Sequence, residues 1–412
     1  MDNKKNGIPK LRFPGFTGAW EQRKLGEVAT RVTRKNKNLE STLPLTISAR
    51  LGLVDQISYF DKRIASSNLT NYILLNRGEF AYNKSYSNGY PFGTVKRLNR
   101  YDKGVIPSLY IAFMPNTIFI NSDFMEMYFE TSLWHKEVSA RASEGARNHG
   151  LLNISPSDFM DIYMKIPEKI EEQKKIAKFL EDFDFLIALH QRKLEHLQEQ
   201  KKGLLQKMFP KNGETVPEVR FPGFTDAWEQ RKLSSMTQYK NGKGHEDKQT
   251  DSGDFELVNL NSISIDGGFK HSGKFINESD DGILYKNDLV MILSDVGHGD
   301  LLGRVALIPD DNKFILNQRV ALLRPNKTVN PGFLFFYINS HQKYFKSQGA
   351  GMSQLNISKK SVETFSSLVP NIDEQKKISL FLMKLDSLIA LHQRKLEHLE
   401  LMKKGLLQQM FV

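Results

Sequence analysis

The sequence contains no cysteine. Disulfide bonds and thiolate metal sites are therefore excluded, and a reducing cytoplasm is compatible with this composition. Long apolar runs are also missing: the longest are short stretches such as LFFYI at 334–338, whereas a membrane-spanning helix needs about 20 apolar residues. The N-terminal segment MDNKKNGIPKLRF is polar and lacks the apolar core of a signal peptide. We therefore expect a soluble cytoplasmic protein without a membrane partner.

Catalytic motifs are missing as well. The segment GGFKHSGKF places Gly268, Gly273 and Lys274 at the spacing of a phosphate-binding loop, but Phe275 stands where a Ser or Thr should bind magnesium. The motifs GxSxG and HExxH are absent, and no glycine-rich cofactor loop follows a first strand. We therefore expect no catalytic residue, no bound cofactor and no metal site in this chain.

The charge balance is basic. The formal net charge is +11 and the pI is about 9.4. This excess favours a polyanionic partner, with nucleic acid first. A hydrophobic content of 40% and an aromatic content of 10% are enough for packed cores. The composition therefore indicates folded domains with a basic surface.

Two long phrases each occur twice in the chain. RFPGFTGAWEQRKL begins at Arg12 and returns with one substitution at Arg220, an offset of 208 residues. EQKKIAKFLEDFDFLIALHQRKLEHLQEQKKGLLQKMF begins at Glu172 and returns as a near copy at Glu374, an offset of 202 residues. A period of this length indicates duplicated domains rather than a solenoid. Because 26–171 and 234–373 show no comparable likeness, one frame is written twice around two divergent inserts.

The second phrase has the pattern of a coiled-coil helix. Apolar positions recur at alternating spacings of four and three, which is a heptad seam. The seam residues are Ile176, Leu180, Phe183, Ile187, His190, Leu194 and Leu197 in the first copy, and Ile378, Leu382, Leu385, Ile389, His392, Leu396 and Leu399 in the second. At 1.5 Å per residue, the seam through Met208 is about 50 Å long. Parallel packing stays open, but an antiparallel coiled coil with a pseudo-two-fold axis is favoured because it needs no special crossover.

Polar residues interrupt this seam. His190 and His392 are interpreted as register-setting positions rather than as ligands, since the histidines of HQRKLEH are six apart and a helical metal site needs a spacing of four. Lys201 and Lys403 lie towards the helix ends. We expect both ammonium groups to reach solvent.

The sequence pattern of each insert predicts a mixed α/β domain. Short strand-like runs alternate with turn signals at 43–49, 79–85, 93–98 and 108–114 in the first insert, and at 255–265, 288–293, 303–308 and 318–324 in the second. A helix is predicted late in each, at 122–142 and 331–348. Both inserts then close on LNIS and a final proline, Pro167 or Pro370.

Basic, amide and aromatic side chains cluster in the turns of both inserts. Arginine and lysine suit guanine edges and phosphates, and amides suit adenine edges. An ordinary solvated loop explains any single one of these residues better, but the group as a whole is what a base-reading surface needs. The DNA-binding candidates are Asn83, Lys84, Tyr86, Asn88, Arg141, Arg147, Asn148, Lys240, Lys243, His298, Gln318, Arg319 and Gln354.

Some frame residues are repeated at positions that lie off the seam. Gln191, Arg192, Gln393 and Arg394 are predicted to face solvent and are candidates for a partner interface. Trp20 and Trp228 are repeated too, but a buried aromatic anchor explains them more simply.

The chain resembles the specificity subunit of type I restriction–modification enzymes. Three features carry the resemblance over nearly the whole length: the RFPGFT…W…RKL opening of each half, the LNIS…P…EQKKI approach to each helix, and the duplicated helix. The resemblance implies target recognition domain 1 at 1–166, a first coiled-coil helix at 167–210, a linker and target recognition domain 2 at 211–369, and a second coiled-coil helix at 370–412.

The resemblance also implies a role and partners. This chain would be a non-catalytic reader of an asymmetric, bipartite site in double-stranded DNA, whose helices set the spacer and dock two methylation subunits. Those subunits would bind S-adenosylmethionine and methylate a flipped adenine, and restriction subunits using ATP and Mg would join the full complex. A DNA-binding regulator with an internal coiled-coil scaffold is the alternative, since it shares the charge and the two domains; a self-contained nuclease or methyltransferase ranks below it.

Overall fold

The computed structural model describes residues 7–87, 89–142, 152–211, 213–277, 282–296, 299–352 and 354–412. The chain divides into two compact units. The first unit comprises Met1–His190 and Lys395–Val412, and the second comprises Gln191–Arg394. Each unit therefore holds one globular domain together with a segment of each long helix.

The first unit begins with ten strands and five short helices, followed by a long helix. The strands are β1 Glu21–Lys24, β2 Ala29–Val32, β3 Leu45–Ser48, β4 Gly52–Asp55, β5 Ile73–Asn76, β6 Phe80–Asn83, β7 Thr94–Arg97, β8 Lys103–Ile106, β9 Ile111–Pro115 and β10 Tyr163–Ile166. The helices are α1 Leu25–Val28, α2 Gln56–Phe60, α3 Ser122–Glu130, α4 Leu133–Arg141, α5 Pro156–Met160 and the long α6 Ile170–Lys207, which runs on into the second unit.

The second unit repeats this plan. Its strands are β11 Glu229–Lys232, β12 Thr237–Asn241, β13 Phe255–Val258, β14 Phe275–Ile276, β15 Ile283–Leu284, β16 Leu289–Ile292, β17 Ser294–Val296, β18 Val305–Leu307, β19 Phe314–Leu316, β20 Val320–Pro325, β21 Gln354–Asn356 and β22 Ser366–Val369. Its helices are α7 Leu233–Met236, α8 Pro331–Ser340, α9 Gln342–Ser347, α10 Lys359–Glu363 and the long α11 Ile372–Met410, which ends in the first unit.

The two divergent inserts share a sheet topology. A four-stranded antiparallel sheet has the order β2-β9-β6-β7 in the first unit and β12-β20-β16-β18 in the second. Helices α3 and α8 follow these sheets and are capped alike, since the side chains of Asn121 and Asn330 each accept a hydrogen bond from a backbone N–H of the first turn. The predicted late helix is present in both inserts, but it is broken into two pieces in each.

In each unit, two strands of the repeated frame pair with each other. The first repeated phrase forms β1 or β11, and each pairs in antiparallel register with the strand that precedes a long helix, β10 or β22. The phrase GGFKHSGKF leads into strand β14 and not into a helix, so its likeness to a phosphate-binding loop is coincidental.

Helices α6 and α11 pack antiparallel in each unit. In the first unit Lys403, near the end of α11, lies 2.6 Å from Asp184 of α6. In the second unit Lys201, near the end of α6, lies 2.5 Å from Asp386 of α11. The antiparallel prediction is confirmed, but the expectation that the two seam lysines reach solvent is wrong. Their side chains are only 13% and 23% exposed, because each one crosses to a carboxylate on the other helix.

Buried apolar residues of the heptad seam stabilise the packing of the long helices. Eight of its apolar residues are buried: Ile176, Leu180, Leu194, Leu197, Ile378, Leu382, Leu385 and Leu396. His190 and His392 are half-buried. Acidic residues occupy the first turn of each helix, Glu171 and Glu172 in α6 and Asp373 and Glu374 in α11, where negative charge is favoured by the helix dipole.

Candidate nucleic-acid interface and its frame

An ion pair joins the two repeated phrases within each unit. The Arg12 guanidinium donates to both carboxylate oxygens of Glu172, over 2.7 and 2.9 Å. Arg220 donates to Glu374 in the same way, over 2.7 Å for each bond. Both carboxylates are almost fully buried, so each is compensated by a two-point charged contact. The phrases recur together because they form one contact.

Aromatic and backbone contacts extend this clamp. Phe13 packs on Phe179 in the first unit with ring centroids 5.7 Å apart. Phe221 packs on Phe381 in the second unit at 5.8 Å. The backbone also joins each opening phrase to the end of a long helix, since N–H groups donate to C=O groups from Leu11 to Gln409 over 3.0 Å and from Val219 to Lys207 over 2.9 Å.

The repeated tryptophans anchor the domain to the helix ends. Trp20 is buried between Phe124 of α3 and Phe411. Its copy Trp228 is buried between Phe333 of α8 and Phe209. Each tryptophan thus joins a recognition domain to the end of a long helix, as the sequence predicted for a buried anchor.

A repeated glutamine couples each long helix to its domain. The side-chain oxygen of Gln173 accepts a 2.7 Å hydrogen bond from the backbone N–H of Asn121, the residue that caps α3. Gln375 accepts from Asn330, the cap of α8, at the same distance. Both glutamines are buried. Each therefore fixes the start of α3 or α8 against the start of a long helix.

In the second unit several predicted DNA-contact residues lie at or near one polar cavity of about 370 Å³. Arg319, at the turn between β19 and β20, and Gln354 of β21 both line it. Gln318 is adjacent to Arg319, while Lys240 lies on the neighbouring strand β12 and pairs with Leu322 of β20. Lys243 bridges to Asn317 at the base of the same turn. Only Arg319 and Gln354 of these candidates line the cavity. Lys240 lies between Tyr239 and Asn241, which both line it, so its side chain is on the other face of the strand.

The sequence did not single out other residues of the same cavity. Its remaining polar lining comprises Tyr239, Asn241, Ser294, Asn356 and Lys359. None of the described lining residues carries a carboxylate. Among them Asn356 belongs to the repeated LNIS phrase, and Asn241 and Ser294 lie in the polar turn segments 240–245 and 294–300. The cavity is suited to bind a group rich in hydrogen-bonding atoms and negative charge.

Hydrogen bonds orient the amides of this cavity. Ser294 Oγ donates to Asn356 Oδ1 over 2.5 Å, and Gln354 Nε2 donates to Ser294 Oγ and, over 3.2 Å, to Asn356 Oδ1. Burial raises the pKa of Tyr239 to about 12. Its hydroxyl therefore stays protonated, and it donates to Asn241 Oδ1 over 2.6 Å.

Arg319 is presented on a strained turn. Its φ is +66°, in the left-handed region that L side chains other than asparagine and aspartate rarely adopt. Its backbone is held there by the N–H of Leu293, which donates to the Arg319 carbonyl over 2.9 Å. Gly242 permits this packing, since a Cβ at that position would lie 1.7 Å from the Asn317 carbonyl oxygen. The Arg319 side chain is exposed, and no described carboxylate pairs with it.

In the first unit the candidates lie on two elements. Asn83 ends strand β6, and Lys84 follows it and donates to the Ile154 carbonyl over 3.2 Å. Tyr86 is exposed in the same segment. Arg141 ends α4, where it pairs with Glu137 at 2.7 Å and lies 5.4 Å from the ring centre of Tyr163. The candidates Asn88, Arg147, Asn148 and His298 lie outside the described residues.

The partner-interface candidates lie in the middle of the long helices. Arg192, Gln393 and Arg394 are exposed, and Gln191 is half-buried and donates to Glu195 over 2.7 Å. Exposed leucines repeat just before them, Leu186 and Leu189 in α6 and Leu388 and Leu391 in α11. Leucines at such positions are unusual on a helix surface that faces only water, so this stretch is suited to contact a partner.

Among the described residues, no three His, Asp or Glu side chains are grouped so that they could hold a metal ion. No helix in the described part of the chain is long and apolar enough to cross a bilayer.

A comparison with protein families identifies this architecture. The family model for the type I restriction modification DNA specificity domain matches residues 18–199 and 225–401, which is most of the chain. The chain belongs to this family. It is a DNA specificity subunit of a type I restriction–modification system, a subunit that is not itself catalytic.

Individual relatives agree with the family assignment. The type I restriction enzyme MjaVIII specificity subunit of Methanocaldococcus jannaschii is 25% identical over 296 residues, 68% of this chain and 68% of the relative. The putative type I restriction enzyme MjaX specificity subunit of the same organism is 28% identical over 255 residues, 60% of this chain and 58% of the relative.

Solved structures have the same fold. The S subunit of the type I restriction-modification system from M. genitalium has a TM-score of 0.61 at 16% identity, covering 98% of this chain and 99% of that one. A chain solved in work on complex assembly and conformational transition of the type I R-M system has a TM-score of 0.53 at 15% identity, covering 97% and 98%. At these identities the likeness concerns the fold.

Proposed function

We propose that each recognition domain reads one half of an asymmetric, bipartite site in double-stranded DNA. The observation that carries this proposal is a frame whose buried contacts, Arg12 with Glu172 and Arg220 with Glu374, are duplicated while the inserts differ. A duplicated frame presents two readers equivalently, and unlike readers recognise unlike sequences. Domain 1 spans 1–166 and domain 2 spans 211–369.

The reading surface of domain 2 is the polar cavity edge that contains Arg319 and Gln354. Arg319 contacts a guanine edge, since an exposed guanidinium can donate two hydrogen bonds to it. Lys240 and Lys243 contact phosphates. In domain 1 the same role falls to Asn83, Lys84 and Tyr86, and Arg141, at the end of a separate helix, contacts a phosphate.

The long helices set the distance between the two half-sites. A seam of about 50 Å is longer than one DNA turn of about 34–36 Å, which supports this proposal. Inserting one heptad at matched positions in both helices tests this. The methylated sites should then have a longer gap between unchanged half-sites, and an unchanged gap would exclude the helices as the spacer.

Two methylation subunits dock on the repeated helix surface. The exposed Leu186, Leu189, Leu388 and Leu391 supply an apolar contact at equivalent positions, and the neighbouring Gln191, Arg192, Gln393 and Arg394 supply hydrogen bonds. The methylation subunits bind S-adenosylmethionine, and the restriction subunits of the full complex use ATP and Mg. The assembly acts on DNA in the cytoplasm.

Co-purification tests the docking proposal. Replacing Leu189 and Leu391 together by glutamate should abolish capture of a methylation subunit while leaving DNA binding by the chain. Replacing His196 and His398, which are repeated at equivalent, exposed positions of the same helices, by glutamate is the matched control. Equal loss of capture in both double variants would show that the leucines are not the docking site.

A further inference from the structure

The second unit contains a large cavity of about 1310 Å³ that is separate from the DNA-reading edge. It lies between α6, α11 and the recognition domain, and all of its lining residues belong to this unit. Its apolar wall includes Phe209, Phe335, Phe336, Leu205 and Ile389. The rings of Phe335 and Phe336 meet edge to face with centroids 4.9 Å apart. Phe336 is buried and the Lys201 ammonium lies 5.7 Å from its ring centre. Phe335 is half-buried, and its ring can stack on a flat ligand.

Cations surround this wall. Lys201, Lys202, Lys211 and Arg304 line the cavity, against two carboxylates, Asp266 and Asp386. Lys201 is engaged with Asp386 and Lys211 with Glu218. Among the described residues, neither Lys202 nor Arg304 has an ion-pair partner. The cavity therefore holds an excess of positive charge beside an apolar surface.

Arg304 is incompletely satisfied. Its Nη1 donates to the Asn339 carbonyl over 3.3 Å, but its buried Nε has no acceptor among the described residues. Burial lowers the pKa of Arg304, an effect that Asp266 and Asp300 only partly oppose. A buried guanidinium N–H without an acceptor costs free energy that a bound anion would recover.

In the first unit, the cations at the corresponding positions are paired with carboxylates. Because Asn121 and Asn330 cap equivalent helices, Phe335 of α8 corresponds to Glu126 of α3, and Asn339 corresponds to Glu130. There Lys96 pairs with Glu130 at 2.5 Å and Arg97 pairs with Glu126 at 2.6 Å. Phe335 and the incompletely satisfied Arg304 are thus features of the second unit, whereas Phe209 and Lys202 belong to the repeated frame.

We propose that this cavity binds a nucleoside phosphate, with the base against Phe335 and the phosphate at Arg304 and Lys202. A flat ring beside a phosphate matches both halves of the lining, whereas a bare inorganic anion uses only the cations. The cavity shares no lining residue with the DNA-reading edge, whereas Gln393 of the proposed partner interface lies at its border. The ligand we propose is a free nucleotide.

Calorimetric titration of the full chain with AMP, adenosine and inorganic phosphate tests the site. The duplicated helix offers a matched pair of variants, because Lys202 and Lys404 occupy the same position of the two copies and both are exposed. Lys202→Glu should weaken AMP binding about tenfold or more, the effect of losing one charged contact. Lys404→Glu should leave it unchanged. Phe335→Leu should weaken AMP and adenosine but not phosphate.

Several outcomes would overturn the proposal. These are the absence of AMP binding, equal weakening by Lys202→Glu and Lys404→Glu, or inorganic phosphate binding as tightly as AMP. Displacement of AMP by a DNA duplex would assign the site to DNA phosphates instead. DNA binding measured on the same samples reports on the reading function separately, so failure here would leave that proposal intact.

Discussion

Lys403 and Asp184 form a 2.6 Å ion pair between α11 and α6 in the first unit, and their copies Lys201 and Asp386 form the same pair at 2.5 Å in the second. A lysine at a seam position is usually costly, because its charge must leave water. Here each ammonium has a carboxylate from the other helix. Because the partner is available only when the helices run antiparallel, the pair specifies the direction of packing.

Removing one member of this pair should destabilise the first unit. Lys403→Met leaves Asp184 facing the seam without its cation and should lower the free energy of unfolding by about 1–2 kcal/mol. Urea unfolding monitored by circular dichroism measures this. The neighbouring Lys404→Met is the control and should change stability by less than about 0.5 kcal/mol. Equal effects of the two substitutions would show that the ion pair does not stabilise the packing.

The frame clamp gives a second prediction. Glu374→Gln removes the charge that neutralises the buried Arg220 guanidinium, whose pKa Glu374 raises through hydrogen bonding and charge. Unfolding of the second unit should become easier by about 3 kcal/mol, as for other broken buried pairs. Asp373→Asn, one residue earlier and exposed, is the matched control. A loss below about 0.5 kcal/mol for Glu374→Gln would contradict the clamp.

Acid should destabilise the second unit through His341. Burial lowers the pKa of this histidine below its usual 6.5, and its ring stacks on Tyr337 at 4.2 Å. The neutral form is therefore favoured in the folded state, and its stability contribution is present above pH 6.5 and lost as pH falls through the folded pKa.

A substitution isolates this contribution. His341→Gln should reduce the difference between the free energies of unfolding at pH 7.5 and pH 5.5, measured by urea titration, by up to about 1.4 kcal/mol per pH unit over the titrating range. His135, whose pKa burial also lowers, remains as a background in both proteins. An unchanged pH difference would show that His341 is not kept neutral by the fold.

Glycine substitutions test whether the turn that presents Arg319 is needed for DNA binding. Gly242→Ala should displace the turn that presents Arg319, because the new Cβ would lie 1.7 Å from the Asn317 carbonyl oxygen. Gly405→Ala is the control: it meets nothing within 4 Å and lies inside helix α11, so it should stabilise by about 0.5–1 kcal/mol. DNA-binding assays should show loss with Gly242→Ala only, and loss with both variants would contradict this assignment.

The sequence predicted the helical frame well, because heptad spacing is local and recurs twice. It could not predict the partners of Lys201 and Lys403, since they lie on the other helix in a register that the heptad pattern leaves open. The Arg12–Glu172 clamp was equally hidden, as its members are 160 residues apart.

Less of the structure of the two inserts could be predicted from the sequence. Both were predicted to be α/β domains, and the strands beginning at Phe80, Thr94, Leu289 and Val305 fall within predicted runs. Their common sheet order was not predictable, because pairing of distant strands leaves no local pattern. Tyr239 and Lys359, which line the same cavity as the DNA-contact candidates Arg319 and Gln354, were not singled out, since no local pattern marks them; the DNA contacts themselves stay a prediction.

The central claim is that each insert reads its own half of the DNA site. Methylome sequencing of cells that carry the partner subunits tests it most directly, comparing this chain with a variant in which 26–171 is replaced by the matching insert of a relative. One half of the methylated sequence should change, and the other half and the gap should stay the same. A change in both halves, or in neither, would contradict the account.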